Sequence, residues 1–126
     1  MKQRLILLTV LAFSLVGCSA DEKMFTATSE HWDGDVFVQK VNGEQQLTFT
    51  LRYTHDAAAI AGKDYTLSLQ SPFSESERKD VIGEDGIIQP NSPTQCRQCL
   101  DDDQNLQVTM TIQLDGQTEA LVFEPK

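Results

Sequence analysis

The sequence predicts an all-β protein, a single immunoglobulin-like β-sandwich of about seven antiparallel strands. Apolar and polar residues alternate with period two in several short segments, which is typical of strands with one buried face. Asn-Gly and Asp-Gly pairs separate such segments and favour tight hairpin turns. No long amphipathic helix pattern is present, so the crossovers of a parallel α/β sheet are not expected. A closed eight-stranded barrel is the alternative.

Residues 1–17 have the order of regions found in a cleaved signal peptide. Lys2 and Arg4 precede an apolar run, Leu5–Val16, that is shorter than the roughly 20 residues needed to span a bilayer as a helix. A plain secretory signal or a buried core helix would be the alternatives to a lipoprotein leader.

The run ends in Leu15-Val16-Gly17-Cys18, and these four residues resemble the lipobox of bacterial prolipoproteins. The resemblance implies diacylation of the Cys18 thiol and cleavage before Cys18. Two acyl chains hold a protein stably on a membrane, whereas a single chain binds only marginally. The protein is therefore expected on the extracytoplasmic face of a bacterial cell membrane, with the membrane as a partner through the lipid anchor.

The mature chain would be a single acidic domain. Removing 17 of the 126 residues leaves 109, and the loss of Lys2 and Arg4 moves the net charge from −9 to −11. A surface this acidic repels nucleic acid, so we expect no nucleic-acid partner. Residues 18–30 are small and polar and are interpreted as the lipidated N-terminus and a tether, with the sandwich over 31–126. Alternatively, Met24 and Phe25 begin an edge strand.

The first strands follow this tether. A hairpin is predicted from residues 35–41 and 45–54 around Asn42-Gly43. Asn-Gly is favoured in a type I′ turn because that turn needs positive φ at both central residues. The third strand covers 65–70 and ends before Pro72. Residues 55–62 between them are expected to be a loop or one helical turn.

The second half is predicted with shorter elements. Residues 71–79 are interpreted as a polar connection, with an optional helical turn capped by Ser74 or Ser76. A second hairpin is expected where Val81-Ile82 and Ile87-Ile88 flank residues 83–86. Residues 89–105 are expected to be a loop, and 106–114 and 118–124 a closing hairpin around Asp115-Gly116.

Trp32 is expected to pack over one end of the core. Trp32-x-Gly34, followed by a strand, a hairpin and Leu51-Arg52-Tyr53, is similar to the opening of small uncharacterised Firmicute lipoproteins with a sandwich domain. This resemblance implies an accessory role at the cell surface and no particular chemistry.

Cys96 and Cys99 form a C-x-x-C motif, which is found in disulfides, redox sites and metal sites. Neighbouring thiols tend to pair in an oxidising exterior, so a local disulfide is the first interpretation. Three aspartates, 101–103, follow the pair and disfavour the thiolate that redox chemistry needs. A metal-binding or thiol-redox module using Cys96 and Cys99 is the alternative function.

Two further groups of residues have the right types for chemistry but an incomplete pattern. Asp101, Asp103 and Asn105 have the 1-3-5 spacing of a calcium loop, but Leu106 occupies its glycine position, so a solvated acidic loop is expected. His31 and His55 have the residue type of a general base, but neither has a partner nearby in the sequence. We therefore expect a non-enzymatic binding or accessory module without a cofactor or resident metal.

Overall fold

The computed structural model describes residues 22–126, so the signal peptide and Cys18 lie outside the described residues. Strands make up most of this part of the chain, and a single 3-10 turn at Ala57–Ala59 lies between two of them. The ten strands are β1 Glu22–Thr28, β2 Trp32–Val41, β3 Glu44–Tyr53, β4 Asp64–Gln70, β5 Glu75–Val81, β6 Ile87–Ile88, β7 Thr94–Cys96, β8 Thr109–Leu114, β9 Gln117–Leu121 and β10 Glu124–Pro125.

The strands form two antiparallel sheets. The first sheet has six strands in the order β10-β1-β2-β3-β6, and β7 pairs with another part of β3. The second sheet has four strands in the order β5-β4-β8-β9. The chain passes between the sheets four times, from β3 to β4, from β5 to β6, from β7 to β8 and from β9 to β10. The predicted all-β, two-sheet sandwich is confirmed.

The core lies between the two sheets and is built from alternate residues of each strand. In β8, Met110, Ile112 and Leu114 are buried while Thr109 is exposed, as the period-two pattern predicts. Trp32 is 1% exposed and meets the ring of Tyr53 edge-to-face, with centroids 5.2 Å apart. No buried polar side chain is found within residues 22–126, so apolar burial is the main contribution to stability.

Both predicted tight turns are present. Asn42 and Gly43 have φ values of 51° and 82°, and Asp115 and Gly116 have φ values of 55° and 76°. Positive φ at both central residues defines the type I′ turn that matches the twist of the flanking strands. The Asn42-Gly43 turn also sets the register of its hairpin, in which Val41 pairs with Glu44 and Trp32 with Tyr53.

The predicted tether over 18–30 is wrong where the structure describes it, because residues 22–28 form β1. This strand pairs with β2 along its whole length, from Glu22 opposite Gln39 to Thr28 opposite Asp33. Phe25 and Ala27 point into the core and are 2% and 5% exposed. These two side chains attach the strand to the core, while Lys23 on the same face is exposed. The alternative of a strand at Met24 and Phe25 is confirmed, but β1 begins earlier, at Glu22, and lies between β10 and β2 instead of at the edge of the sheet.

The predicted polar connection over 71–79 and the second hairpin are also wrong. Residues 75–81 form β5, an edge strand that pairs with β4. Its side chains are almost all exposed and many are charged, which suits a sheet edge that must not pair with other chains. Val81 lies in the second sheet and Ile87 in the first, so residues 82–86 cross between the sheets and form no hairpin.

The predicted C-terminal elements differ in their limits. The loop predicted over 89–105 contains the short strand β7, and the strand predicted from Leu106 begins at Thr109. The strand predicted over 118–124 is broken after Leu121, because the buried side chain of Phe123 turns into the core before β10 joins the first sheet. Within the described residues, no helix is long and apolar enough to cross a membrane.

The strand directions give the sandwich two distinct ends. One, called here the cysteine end, holds Glu22, the Asn42-Gly43 turn, the β4–β5 turn at 71–74, and Cys96–Cys99. The other, called the histidine end, holds His31, His55 and the Asp115-Gly116 turn. The ten residues of β2 run from one end to the other, a length of roughly 30 Å.

Candidate functional site

The C-x-x-C motif lies where β7 leaves the edge of the first sheet. Cys96 pairs with Gln45 of β3, while Cys99 is completely buried. The two Cα atoms are 5.6 Å apart and the two sulfur atoms are within bonding distance, which fits the expected disulfide. Gln98 between them has a φ of 56°, so the loop closes through a left-handed residue.

A pocket of about 530 Å³ opens beside this motif. Lys40, Glu44 and Arg97 contribute charge to its walls, and three glutamines contribute amides: Gln45, Gln95 and Gln98. Glu44 accepts a hydrogen bond from the Gln95 amide at 3.2 Å. The guanidinium of Arg97 lies 5.8 Å from the centre of the Phe73 ring, which is 57% exposed. The pocket is open, and charged and amide side chains form much of its rim.

The acidic loop that follows is organised by one carboxylate. Asp101 Oδ1 accepts hydrogen bonds from the backbone N–H groups of Asp103 and Asn105, at 2.9 and 2.8 Å. Its Oδ2 accepts a hydrogen bond from the Gln107 amide at 3.1 Å. These oxygens would be the first ligands of a calcium loop, and here they already bond to the chain itself. The arrangement fits the solvated acidic loop that we expect.

The histidine end brings together residues that are far apart in the sequence. Glu119 of β9 accepts hydrogen bonds at Oε1 from the Ser29 hydroxyl, at 2.6 Å, and from the His31 backbone N–H, at 2.9 Å. The ring of His31 lies within hydrogen-bond distance of the same carboxylate, with 2.8 Å between Nδ1 and Oε2. This cluster joins the edge of the second sheet to the β1–β2 turn of the first.

The charge of Glu119 is stabilised by its hydrogen bonds. Burial by itself would raise the pKa of this carboxyl group. The hydrogen bonds from Ser29 and from the backbone and ring of His31 outweigh that effect and hold the pKa below the ordinary value of a glutamate. Glu119 is therefore ionised at neutral pH and accepts hydrogen bonds at both oxygens.

His55 completes this end. Its ring centroid lies 4.8 Å from that of His31 and 5.9 Å from that of Tyr53. His55 Nε2 lies 3.2 Å from the carbonyl oxygen of Glu30. A small pocket of about 130 Å³ beside the cluster is lined by His31, Trp32, Tyr53, Ile60, Ile112, Leu114, Asp115, Gln117 and Glu119.

Part of this cluster can be predicted from the sequence, and the rest depends on how the two sheets pack. Because the Asn42-Gly43 turn sets the register of its hairpin, Trp32 must face Tyr53, and the flanking His31 and His55 must be near each other. The sequence therefore contains a signal that brings the two histidines to the same end of the hairpin, although the spacing of the histidines alone does not show it. Glu119 is 88 residues from His31, and only the packing of the two sheets brings the two together. Across residues 22–126, no group of three or more His, Cys, Asp or Glu side chains is placed to hold a metal ion.

Comparison with known proteins adds no assignment for these residues. No protein-family model, no curated protein and no solved structure matches the chain.

Proposed function

We propose that this chain is a lipid-anchored extracytoplasmic protein whose sandwich acts by binding and carries out no catalysis. The leader with Cys18 supports the anchor. The main structural support for the proposal is the position of β1, because this strand begins only four residues after Cys18. The lipid and the folded domain are therefore separated by very little chain.

This short separation limits how the domain can lie on the membrane. Four residues span at most about 14 Å, whatever their conformation. Glu22 begins β1 at the cysteine end, so that end faces the bilayer when Cys18 carries lipid. The histidine end then stands roughly 30 Å further out, the length of β2. A 12-residue flexible tether would have left the orientation free.

The exposed side chains of the cysteine end suit this orientation. Phe73 is a large exposed hydrophobic residue at the tip of the β4–β5 turn, and Arg97 lies against its ring. An aromatic ring next to a cationic group is typical of residues at the interface between water and lipid headgroups. These features support a position of Phe73 in the headgroup region, which would present the histidine end to partners in the envelope or outside it.

Photocrosslinking in cells tests the anchor and the orientation together. A benzophenone side chain at position 73 should crosslink to lipid, because that position faces the bilayer. The same group at Ala58, an exposed residue of the 3-10 turn at the opposite end, should not. Equal lipid crosslinking at the two positions, or none at position 73, would contradict the proposal.

A further inference from the structure

The histidine end holds two imidazole rings whose hydrogen-bond partners fix where each proton lies. The ionised carboxylate of Glu119 can only accept, so His31 must donate from Nδ1, at 2.8 Å from Oε2. The carbonyl oxygen of Glu30 can also only accept, so His55 must donate from Nε2, at 3.2 Å. In the neutral rings the lone pairs are thus on the opposite nitrogens, Nε2 of His31 and Nδ1 of His55.

This pattern is the one shown by histidines that bind metals. A ligating imidazole almost always donates its other N–H to a carboxylate or to a backbone carbonyl, which fixes the tautomer and orients the ring. His31 has the carboxylate partner and His55 has the carbonyl partner. No hydrogen bond to the remaining nitrogen of either ring is found within residues 22–126.

The separation of the rings also suits a shared ion. When two imidazole nitrogens bind one metal ion at about 2 Å, the N–metal–N angle is roughly 90–109°. The two ring centroids are then roughly 4.5–5.2 Å apart. The centroids of His31 and His55 are 4.8 Å apart, and the planes are tilted by 50°. The tilt separates this pair from a stacked pair, in which the planes would be parallel.

We propose that His31 and His55 together bind a divalent transition-metal ion such as Cu²⁺ or Zn²⁺ at the outer end of the domain. Imidazole nitrogen suits these ions, and among them Cu²⁺ binds most tightly to a given set of ligands. The chain supplies two ligands, so the remaining coordination positions are open to water or to a donor group of a partner. The negative net charge, −9 for the whole chain and −11 without residues 1–17, favours the approach of a cation.

This proposal deepens the proposed function by naming a ligand class for the histidine end, and it rests on that function only for the outward orientation. It differs from a metal site at Cys96 and Cys99, which lie at the opposite end of the sandwich. A copper titration shows at which of the two sites metal binds. It uses the full-length protein, purified from the cell fraction in which the protein accumulates.

The titration is followed by electron paramagnetic resonance. One equivalent of Cu²⁺ should give a spectrum with coupling to two imidazole nitrogens. Loss of even an outer-shell partner commonly costs about 10–100-fold in metal affinity, so His55→Ala should weaken binding by at least about tenfold. His55 is exposed, so this variant should keep the unfolding temperature of the parent protein in the absence of metal.

Two control variants separate this site from other sources of copper binding. Glu30→Gln removes the neighbouring charge but keeps the carbonyl that His55 contacts, and it should bind as the parent does. Replacing Cys96 and Cys99 together by Ala should also leave the signal unchanged. Equal affinity in His55→Ala, loss of the signal in the cysteine variant, or no copper binding would overturn the proposal. None of these results would change the lipid crosslinking at position 73, so the two proposals fail separately.

Discussion

Glu119 and His31 are 88 residues apart in the sequence, yet the ring nitrogen Nδ1 of the histidine lies 2.8 Å from the carboxylate of the glutamate. The carboxylate belongs to the edge strand of one sheet, and the histidine belongs to the turn between two strands of the other. Their contact joins the two layers of the sandwich at the histidine end. It also fixes the tautomer of the ring that we propose as a metal ligand.

Glu119→Gln should lower the stability of the fold at neutral pH by about 1.5–3 kcal/mol, the net contribution of hydrogen bonds to a charged group. We expect the lower part of that range, because the side chains of His31 and Glu119 are 25% and 15% exposed. The amide keeps one acceptor for Ser29 and loses the second acceptor that faces the His31 ring. Chemical denaturation of the two proteins measures the difference.

The same group predicts how stability depends on pH. The folded-state pKa of Glu119 lies below its unfolded value, so its contribution is complete above the ordinary glutamate pKa of about 4.3. The contribution is lost as the pH falls through the lower, folded-state pKa. Glu119→Gln should therefore lose less stability than the parent over this acidic range. A surface control, Glu84→Gln, should follow the parent, and identical acid profiles for all three proteins would contradict the role of Glu119.

Met110→Asp should unfold the domain, while Thr109→Asp should be tolerated. Met110 is 1% exposed in the core, whereas its neighbour Thr109 points to solvent from the opposite face of β8. Burying an unpaired carboxylate costs several kcal/mol, a large part of a typical stability of about 5–15 kcal/mol. Circular dichroism with thermal unfolding compares the two variants. Equal effects would show that the register of β8 is wrong.

The sequence is sufficient where a strand buries one full face. In β8 three large apolar residues alternate with polar ones, so periodicity alone identifies both the strand and its inner face. The Asn42-Gly43 and Asp115-Gly116 pairs identify their turns because few residues accept positive φ.

The sequence is insufficient for strands that bury little. β1 has only Phe25 and Ala27 as inward side chains, and its other residues resemble those of a linker. β5 is an exposed, charged edge strand, so no burial pattern is available to show it. The partner of His31 depends on how two sheets pack, and local patterns carry no information about that contact.

Cys96 and Cys99 should be disulfide-bonded in the exported protein, and the variant with alanine at both positions should stay folded. A bridge across two intervening residues contributes at most about 2 kcal/mol in the chain-entropy model. Alanine is preferred to serine as the replacement because Cys99 is completely buried, where a hydroxyl would lack a partner. Mass spectrometry after alkylation, with and without reductant, reads the bond directly. Two free thiols in the exported protein would favour the redox or metal alternative.

Lipidation of Cys18 is the claim on which the anchor and the orientation both depend. Its most direct measurement is mass spectrometry of the N-terminal peptide, together with membrane fractionation of the parent and of Cys18→Ala. The account predicts that the parent begins at Cys18, carries acyl chains there and sediments with membranes. It predicts that Cys18→Ala gives no acylated N-terminus. A parent protein that leaves the membrane without lipid, or that begins at another residue, would contradict the account.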